Sequence, residues 1–244
     1  RVMESASATL KRVTLELGGN DPAIILPDAD PEAIAEQIFW AAFGNAGQIC
    51  IASKRVYIHA DIYDALRDAI VAYAKTVKVG DGGEQGTQIG PINNRPQYDR
   101  VLDLIRDAQA KGYDFLTGGD VPDGPGYYVP VTILENPPEN ARIVQEEQFG
   151  PVMPLLRYDS IDEAIARANA SEYGLAASVW GGNEDRAAQV AARLQSGTVW
   201  INETRHLSPM VPFGGMKQSG LGVEGGEDGL MEYTYAQTIV RRKT

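Results

Sequence analysis

The sequence predicts an α/β protein with a mostly parallel, open sheet flanked by helices. Two observations predict it: segments with β-like patterning alternate with helical ones, and the helical segments are long enough to cross a sheet. The predicted strands cover residues 13–17, 23–26, 55–58, 128–133, 152–156, 176–180 and 198–201. The predicted helices begin at Pro31 or cover residues 61–77, 97–110, 160–169 and 184–195.

Local signals justify individual elements. Residues 13–17 alternate with a period of two, which is typical of a strand with one apolar face. Asp30 and Pro31 are typical of a helix start. An aspartate side chain caps free N–H groups of the first turn, and proline is tolerated at the first helical position because an N–H there would have no partner in the helix. Ser160 and Glu163 have the spacing of a capping box. An apolar stripe for the first of these helices is formed by Ile34, Ile38 and Phe39.

The C-terminal part has a different composition. Residues 212–229 are rich in glycine, and residues 235–241 have the pattern of one more strand. A lone strand needs the edge of a sheet elsewhere. We therefore expect a C-terminal strand arm that pairs with a further domain or a neighbouring subunit.

Composition excludes several classes of protein. The chain of 244 residues has a formal net charge of −11, which disfavours nucleic acid and anionic membrane surfaces as partners. No apolar run approaches the roughly 20 residues that span a bilayer. A single cysteine excludes an internal disulfide framework and favours a cytoplasmic setting. Residues 1–4 contain neither an initiator methionine nor the apolar core of a signal peptide, so we expect the chain to begin inside a longer protein.

Cys50 is the first candidate for chemistry. A lone cysteine is more often a small buried apolar residue than a nucleophile. Gly44 and Gly47, however, interrupt a helix-like run directly before the thiol, where glycine is costly unless the backbone must turn. A thiol at such a turn can be accessible, with its own N–H free to hold an oxyanion. The spacing alone leaves both interpretations open.

Glu16 is the second candidate. It follows the solvent-facing pattern of its strand, which also fits an ordinary surface carboxylate. The strand ends directly afterwards at Leu17, Gly18 and Gly19, and strand ends carry ligand sites in open α/β sheets. A partly buried carboxylate there could serve as a general base.

Other motifs favour a structural interpretation. Residues 220–225 match GxGxxG, but a loop precedes them where a dinucleotide site requires a strand. His59 and His206 are too isolated to indicate a metal site, so we expect none. Pairing of His206 with Cys50, as in a cysteine hydrolase, is less favoured than an ordinary loop histidine.

Four segments together resemble the aldehyde dehydrogenase superfamily in order and spacing, and the resemblance extends over essentially the whole chain. A glutamate signature resembles LELGGN at residues 15–20, and a cysteine signature resembles NAGQIC at residues 45–50. Further family blocks are similar to EEQFGPV at residues 146–152 and PFGGMKQSGLG at residues 212–222.

The resemblance implies a reaction and a division of roles. Cys50 would attack the aldehyde carbonyl, and Glu16 would activate the water that hydrolyses the resulting thioester. The cofactor would be NAD or NADP, and the substrate a small aldehyde. Relatives that transfer the acyl group to coenzyme A typically lack this glutamate, which favours a free carboxylic acid as the product.

The resemblance also implies cofactor contacts. Glu147 would hold the nicotinamide ribose and Phe149 would pack near the nicotinamide. Gln97 and Arg100 correspond to positions that touch the ribose, and Leu17 is assigned to cofactor binding in the same way. The family often has lysine where this chain has Arg100, so the sequence departs from the pattern there.

The resemblance further implies a truncated enzyme with three parts. Residues 1–18 would contain the last strand of a cofactor-binding domain, residues 19–218 the catalytic domain, and residues 219–244 a glycine-rich loop with an oligomerisation strand. The side-chain amide that completes the oxyanion hole would lie in the absent half. We therefore expect little or no activity from the 244 residues alone, and a homodimer or homotetramer for the complete enzyme.

Two other functions remain open from the sequence. A cofactor-free cysteine esterase could use the same Cys50 and Glu16, and a non-catalytic fragment could act only in subunit association through residues 235–241. The loop at residues 202–211 corresponds to a wall of the family's substrate tunnel. Arg205 and His206 in it could favour a polar or anionic aldehyde, or could simply face solvent.

Overall fold

A computed structural model describes residues 1–243, and its central feature is a seven-stranded sheet. The helices are α1 Val2–Ser7, α2 Pro31–Phe43, α3 Tyr63–Ala74, α4 Arg95–Ala110, α5 Arg142–Gln145, α6 Ile161–Asn169, α7 Glu184–Ala191 and α8 Gly226–Met231. The strands are β1 Leu15–Glu16, β2 Asp21–Ile25, β3 Ser53–His59, β4 Phe115–Thr117, β5 Thr132–Glu135, β6 Val152–Tyr158, β7 Tyr173–Gly174, β8 Ala176–Trp180, β9 Thr198–Ile201, β10 Met216–Lys217 and β11 Gly220–Leu221.

The large sheet has the strand order β4-β5-β6-β3-β2-β8-β9. Every neighbouring pair is parallel except β4 and β5, which run antiparallel at one edge. Parallel neighbours need a crossover connection, and the helices between the strands supply it. The predicted α/β class with a mostly parallel, open sheet is therefore confirmed.

Helices cover both faces of the sheet. In β3, Val56 and Ile58 face a core shared with α2 and α3, whereas Tyr57 faces a core shared with α4, α6 and α7. Successive side chains of a strand point to opposite faces, so one strand contributes to both cores. Burial on both faces holds the strand ends rigidly, and the candidate site lies at those ends.

The predicted helix starts are confirmed at the caps. The Asp30 carboxylate accepts hydrogen bonds from the N–H groups of Glu32 and Ala33 at 3.1 and 3.4 Å. At α6, Ser160 Oγ accepts from the N–H of Glu163 at 3.2 Å. The Glu163 carboxylate reaches one residue further back than a capping box requires, to the N–H of Asp159.

Three predicted strands differ from the structure. The strand predicted at 128–133 begins only at Thr132, because Pro130 has no N–H to donate to a ladder. The strand predicted at 13–17 pairs only at Leu15 and Glu16. The C-terminal arm at 235–241 forms no strand within residues 1–243, where it is exposed and pairs with neither edge strand of the large sheet, β4 or β9.

Two small ladders tie the Gly-rich tail to the rest of the chain. β1 pairs with β11, and β10 pairs with β7, both antiparallel. A Cβ at Gly220 would overlap the carbonyl oxygen of Leu15, so glycine is needed for this close pairing. The β1–β11 ladder joins two of the predicted parts, residues 1–18 and 219–244, whereas β10 and β7 both lie inside the predicted catalytic domain. The three-part division stays a prediction. Within residues 1–243, no helix is both long and apolar enough to span a bilayer.

Candidate active site

One cleft brings together all seven residues that the sequence analysis assigned to chemistry or cofactor binding. Its volume is about 690 Å³, and it is open to solvent on one side. The residues come from β1, the turn before β3, helix α4 and the loop before β6, which are distant in sequence. The lining consists of Glu16, Leu17, Gly18, Gln48, Ile49, Cys50, Gln97, Arg100, Glu147 and Phe149.

The residues between α2 and β3, which we call the Cys50 turn (residues 44–50), place the thiol in the cleft. Asn45, Ala46 and Gly47 have positive φ angles of 53°, 56° and 70°, so the chain leaves the helix through a left-handed turn. Such a conformation is costly for the two residues with side chains and is typical of functional sites. The turn delivers Cys50 half-buried at the wall of the cleft.

Gly47 is the position in the turn where a side chain fits least. A Cβ there would overlap the carbonyl oxygen of Gly150 and the amine of Lys54, and φ is +70°. We therefore expect Gly47→Ala to lower the free energy of unfolding by about 2–4 kcal/mol, through backbone strain and overpacking. Urea unfolding monitored by circular dichroism measures it.

Gly82→Ala is the matched control for Gly47→Ala. No atom lies within 4 Å of a Cβ at Gly82. The alanine there should leave stability unchanged or raise it by up to about 1 kcal/mol, because the unfolded chain loses freedom. Equal destabilisation by both substitutions would show that close packing at Gly47 is not the cause.

The Cys50 thiol is held in its neutral form in this chain. Burial, followed by the negative charges of Glu16 and Asp21, raises its pKa to about 11. The backbone N–H groups of Ile51 and Cys50 act in the opposite direction. A cysteine nucleophile reacts as the thiolate, so reaction at neutral pH requires a base or a further positive influence beside this thiol.

Glu16 also lines the cleft. Its Oε1 accepts a hydrogen bond from the N–H of Gly18 at 2.9 Å. The side chain is exposed in this chain, which agrees with the solvent-facing pattern of its strand and does not supply the partial burial that would favour a general base. Its charge nevertheless acts on both Cys50 and Glu147, so the three groups share one electrostatic environment.

Residues 146–151, which we call the Glu147 loop, form the third wall. Glu147 Oε1 accepts from the N–H of Gly19 at 3.2 Å, and the carboxylate lies against Gly18. Burial raises the pKa of this carboxyl above its usual value. Phe149 has a φ of +46°, which turns its partly buried ring into the cleft lining.

Helix α4 fixes the backbone of the Glu147 loop. Gln97 Nε2 donates to the carbonyl oxygens of Gln148 and Phe149 at 2.9 and 3.1 Å. The Arg100 guanidinium donates to the carbonyl of Glu147 at 3.3 Å. In this structure both side chains therefore hold the loop that carries Glu147 and Phe149.

The cleft residues fit a nicotinamide riboside. A carboxylate such as Glu147 accepts hydrogen bonds from ribose hydroxyls, and an aromatic ring such as Phe149 packs against a flat heterocycle. The position of Gly18 supports this fit, because a Cβ there would lie 2.7 Å from Glu147 Oε2 and displace the carboxylate. The same walls therefore carry the proposed nucleophile and a place for the cofactor.

Buried polar groups support the floor of the cleft, and the sequence analysis missed them. Asp21 is buried, accepts from the N–H of Ala176 at 3.1 Å and has its pKa raised well above the usual value by burial. Lys54 is buried and contacts the Glu147 loop. The sequence did contain an indication of Lys54, because two adjacent basic residues at 54 and 55 are unusual beside an apolar strand. It was missed because the predicted strand began only at Arg55.

Comparisons with known proteins match the sequence and the fold of this chain. The family model described as the aldehyde dehydrogenase family matches residues 1–239. A probable aldehyde dehydrogenase from Pseudomonas is 45% identical over 240 residues, which is 98% of this chain and 49% of that protein. The NAD+ complex of an aldehyde dehydrogenase from Bacillus cereus superposes with a TM-score of 0.92 at 43% identity, over 96% of this chain and 48% of that one. Betaine aldehyde dehydrogenase from Staphylococcus aureus, also in complex with NAD+, gives 0.90 at 36% identity over 95% and 47%.

A mostly parallel, seven-stranded sheet flanked by helices defines the α/β fold class of this chain. Within that class, the chain belongs to the aldehyde dehydrogenase family. It spans about half the length of the curated relatives that it matches.

Proposed function

We propose that this chain is the catalytic half of a hydrolytic, NAD(P)-dependent aldehyde dehydrogenase. The observation that carries the proposal is the shared cleft, which is lined by Cys50 and Glu16 together with Glu147 and Phe149. Coordinates that buried either Cys50 or Glu16 away from this cleft would have opposed it. The product would be a carboxylic acid, and the cofactor NAD or NADP.

In the first half of the proposed reaction, Cys50 loses its proton to solvent, and the resulting thiolate attacks the aldehyde carbon and forms a thiohemiacetal. The N–H of Cys50 acts on its own sulfur in this structure and is the chain's own donor for the developing oxyanion. A bound nicotinamide would supply the acceptor for the hydride of this carbon, and Glu147 and Phe149 would hold it. Loss of that hydride would leave Cys50 as a thioester.

In the second half, Glu16 removes a proton from water, the resulting hydroxide attacks the thioester carbon, and the Cys50 sulfur leaves. The acid is released and the thiol is restored, so the net change is aldehyde, oxidised cofactor and water giving acid, reduced cofactor and a proton. The exposure of Glu16 allows water to reach it. A base that lines the same cleft as its thioester suits hydrolysis by water.

The complete enzyme is proposed to contain a cofactor-binding half and to form a homodimer or homotetramer in the cytoplasm. Large apolar side chains are exposed near both ends of this chain, including Leu17 at 56% and Met210 at 81%. Residues 235–241 are exposed and extend beyond the described sheets, which suits addition to a neighbouring sheet. Exposed apolar surfaces of this kind are typical of sites that another domain or subunit covers.

The assay that tests the proposal joins this chain to the cofactor-binding half and supplies an aldehyde with NAD or NADP. We expect stoichiometric formation of the reduced cofactor and the carboxylic acid, followed by absorbance of reduced nicotinamide. A cofactor-free cysteine esterase would instead cleave activated esters without any change in that absorbance. A fragment that acts only in subunit association would bind the other half and do neither.

The loop at 202–206 favours an anionic or polar aldehyde. Trp200, which like Cys50 packs against the buried cluster of Ile51, Leu175 and Ala176, donates its indole N–H to the carbonyl of His206 at 2.9 Å and fixes the loop. Arg205 has a φ of +63°, and its guanidinium lies directly against Gly44 of the Cys50 turn. The exposed cation is thus held against the Cys50 turn, although neither Arg205 nor Gly44 belongs to the cleft lining.

Arg205→Ala tests this preference in the complete enzyme. We expect kcat/KM for an aldehyde with a carboxylate tail to fall by roughly 10- to 100-fold, because one charge-assisted hydrogen bond is lost. A neutral aldehyde of the same length should change by less than about threefold. Arg242→Ala, on the exposed tail, is the control. An equal loss for both aldehydes would show that Arg205 does not select charge.

A further inference from the structure

Lys54 is a buried lysine beside the cleft, and nothing in the proposed reaction uses it. Its side chain is 2% exposed. Its amine donates hydrogen bonds to three backbone carbonyls: Gly150 at 2.7 Å, Ala42 at 2.8 Å and Val152 at 3.3 Å. An ammonium group has three N–H donors and no acceptor, so these carbonyls use its full capacity.

The three acceptors belong to the segments that build the cleft. Ala42 lies in the last turn of α2, directly before the Cys50 turn, and Gly150 belongs to the Glu147 loop. Val152 begins β6 behind that loop. Gly47, in the middle of the Cys50 turn, packs against both the Lys54 amine and the Gly150 carbonyl. One side chain therefore joins the turn that carries the nucleophile to the loop that carries Glu147 and Phe149.

We propose that Lys54 is a positioning residue that holds the Cys50 turn and the Glu147 loop at a fixed separation. Its contacts set the distance between the thiol and the place assigned to the nicotinamide, across which the hydride must move. Salt bridges do not explain the burial, because the amine's direct partners are carbonyls. The proposal rests on the proposed roles of Cys50 and Glu147, but its tests below measure geometry and need no dehydrogenase activity.

The surroundings of Lys54 make its contacts with the Cys50 turn and the Glu147 loop dependent on pH, and they determine the direction of that dependence. Burial lowers the pKa of Lys54 to about 7, and Glu147 is the charged group that opposes this shift. The Phe43 ring, 5.7 Å from the amine, covers another side. If the Cys50 turn opens, Lys54 returns to water and to its ordinary pKa of 10.5. Between about pH 7 and 10.5 the open form then binds more protons, so rising pH favours the closed form, in which the neutral amine has two N–H donors left for the three carbonyls.

Alkylation of Cys50 by iodoacetamide tests this coupling, because the chain has one cysteine. At pH values far below its pKa, a thiol whose accessibility does not change with pH reacts about tenfold faster for each unit that the pH rises, since the thiolate is the reactive form. Cys50 is only half-buried in the closed form, but opening of the turn exposes the thiol fully and speeds its alkylation. We therefore expect the wild-type rate between pH 7 and 9 to rise less steeply, falling short at pH 9 by roughly 3- to 30-fold, because opening becomes rarer. Lys54→Met should restore the rise of about tenfold per unit.

Hydrogen exchange supplies the second readout. In Lys54→Met, residues 44–50 and 146–152 should lose protection together, by roughly 3- to 10-fold, because the carbonyls lose their donor. Lys78→Met is the control, since Lys78 is an exposed lysine paired with Glu84 at 2.9 Å. It should change neither exchange nor the alkylation profile.

Two results would overturn the proposal. The first is a wild-type alkylation rate that rises tenfold per pH unit throughout pH 7–9. This measurement uses only the wild-type protein, so it can be made even if Lys54→Met does not fold. The second is a Lys54→Met protein whose exchange increases uniformly over the whole chain, which would show a general contribution to stability. Glu147 is retained in both proteins, so any effect of its own titration cancels in the comparison.

Discussion

Replacement of Cys50 by alanine should abolish aldehyde oxidation in the complete enzyme. We expect kcat/KM to fall by about 10⁴-fold or more, because removal of a covalent nucleophile leaves only binding and oxyanion stabilisation. The half-buried thiol has no side-chain partner that stabilises the fold, so the thermal midpoint should stay nearly unchanged. The rate of cofactor reduction with saturating aldehyde measures the effect.

Cofactor binding provides the control for Cys50→Ala. Glu147 and Phe149, not the thiol, are assigned to the cofactor, so the dissociation constant for the dinucleotide should change by less than about twofold. Loss of activity with intact binding would assign chemistry to Cys50. Retention of more than about a tenth of the activity would remove it from the mechanism.

Replacement of Glu16 by glutamine should block the second half of the reaction and spare the first. Steady-state turnover should fall by roughly 10²- to 10⁴-fold, which is the usual contribution of a general base. Because the thioester still forms, rapid mixing should show a burst of about one reduced cofactor per site, followed by a very slow phase. An absent burst would show that Glu16 acts before hydride transfer.

The same variant makes a prediction about Cys50 itself. The charge of Glu16 raises the pKa of the thiol, so Glu16→Gln lowers that pKa and speeds alkylation at fixed neutral pH. Glu227→Gln is the control, because Glu227 is an exposed carboxylate on α8, outside the cleft lining. Unchanged alkylation in Glu16→Gln would mean that the two groups do not share one environment.

Local signals predicted much of the fold correctly. The starts of α2 and α6 followed from Asp30 and Ser160, because a cap is decided by residues within one helical turn. The strands β8 and β9 were predicted at their observed limits from short apolar runs. The start of β5 was wrong, since the sequence run through Pro130 was apolar but could not donate to the ladder.

The candidate site was predicted in part. Cys50 and Glu16 were identified from motifs, and the structure places them at one cleft although β1 and the Cys50 turn are separated along the chain. The roles of those motif residues remain predictions. Lys54 was missed because its significance depends on the carbonyls of Ala42 and Gly150, which no pattern around residue 54 reveals.

The sequence by itself determined the alternation of strands and helices, the helix caps and the family motifs. Each of these depends on residues that are near neighbours along the chain or on short motifs in a fixed order. Only the tertiary structure decided that Gly150, 96 positions away, takes a hydrogen bond from Lys54, and that Arg205 lies against Gly44. Burial, charge and pKa at the cleft arise from such distant segments, because desolvation and Coulomb interactions depend on distance in space.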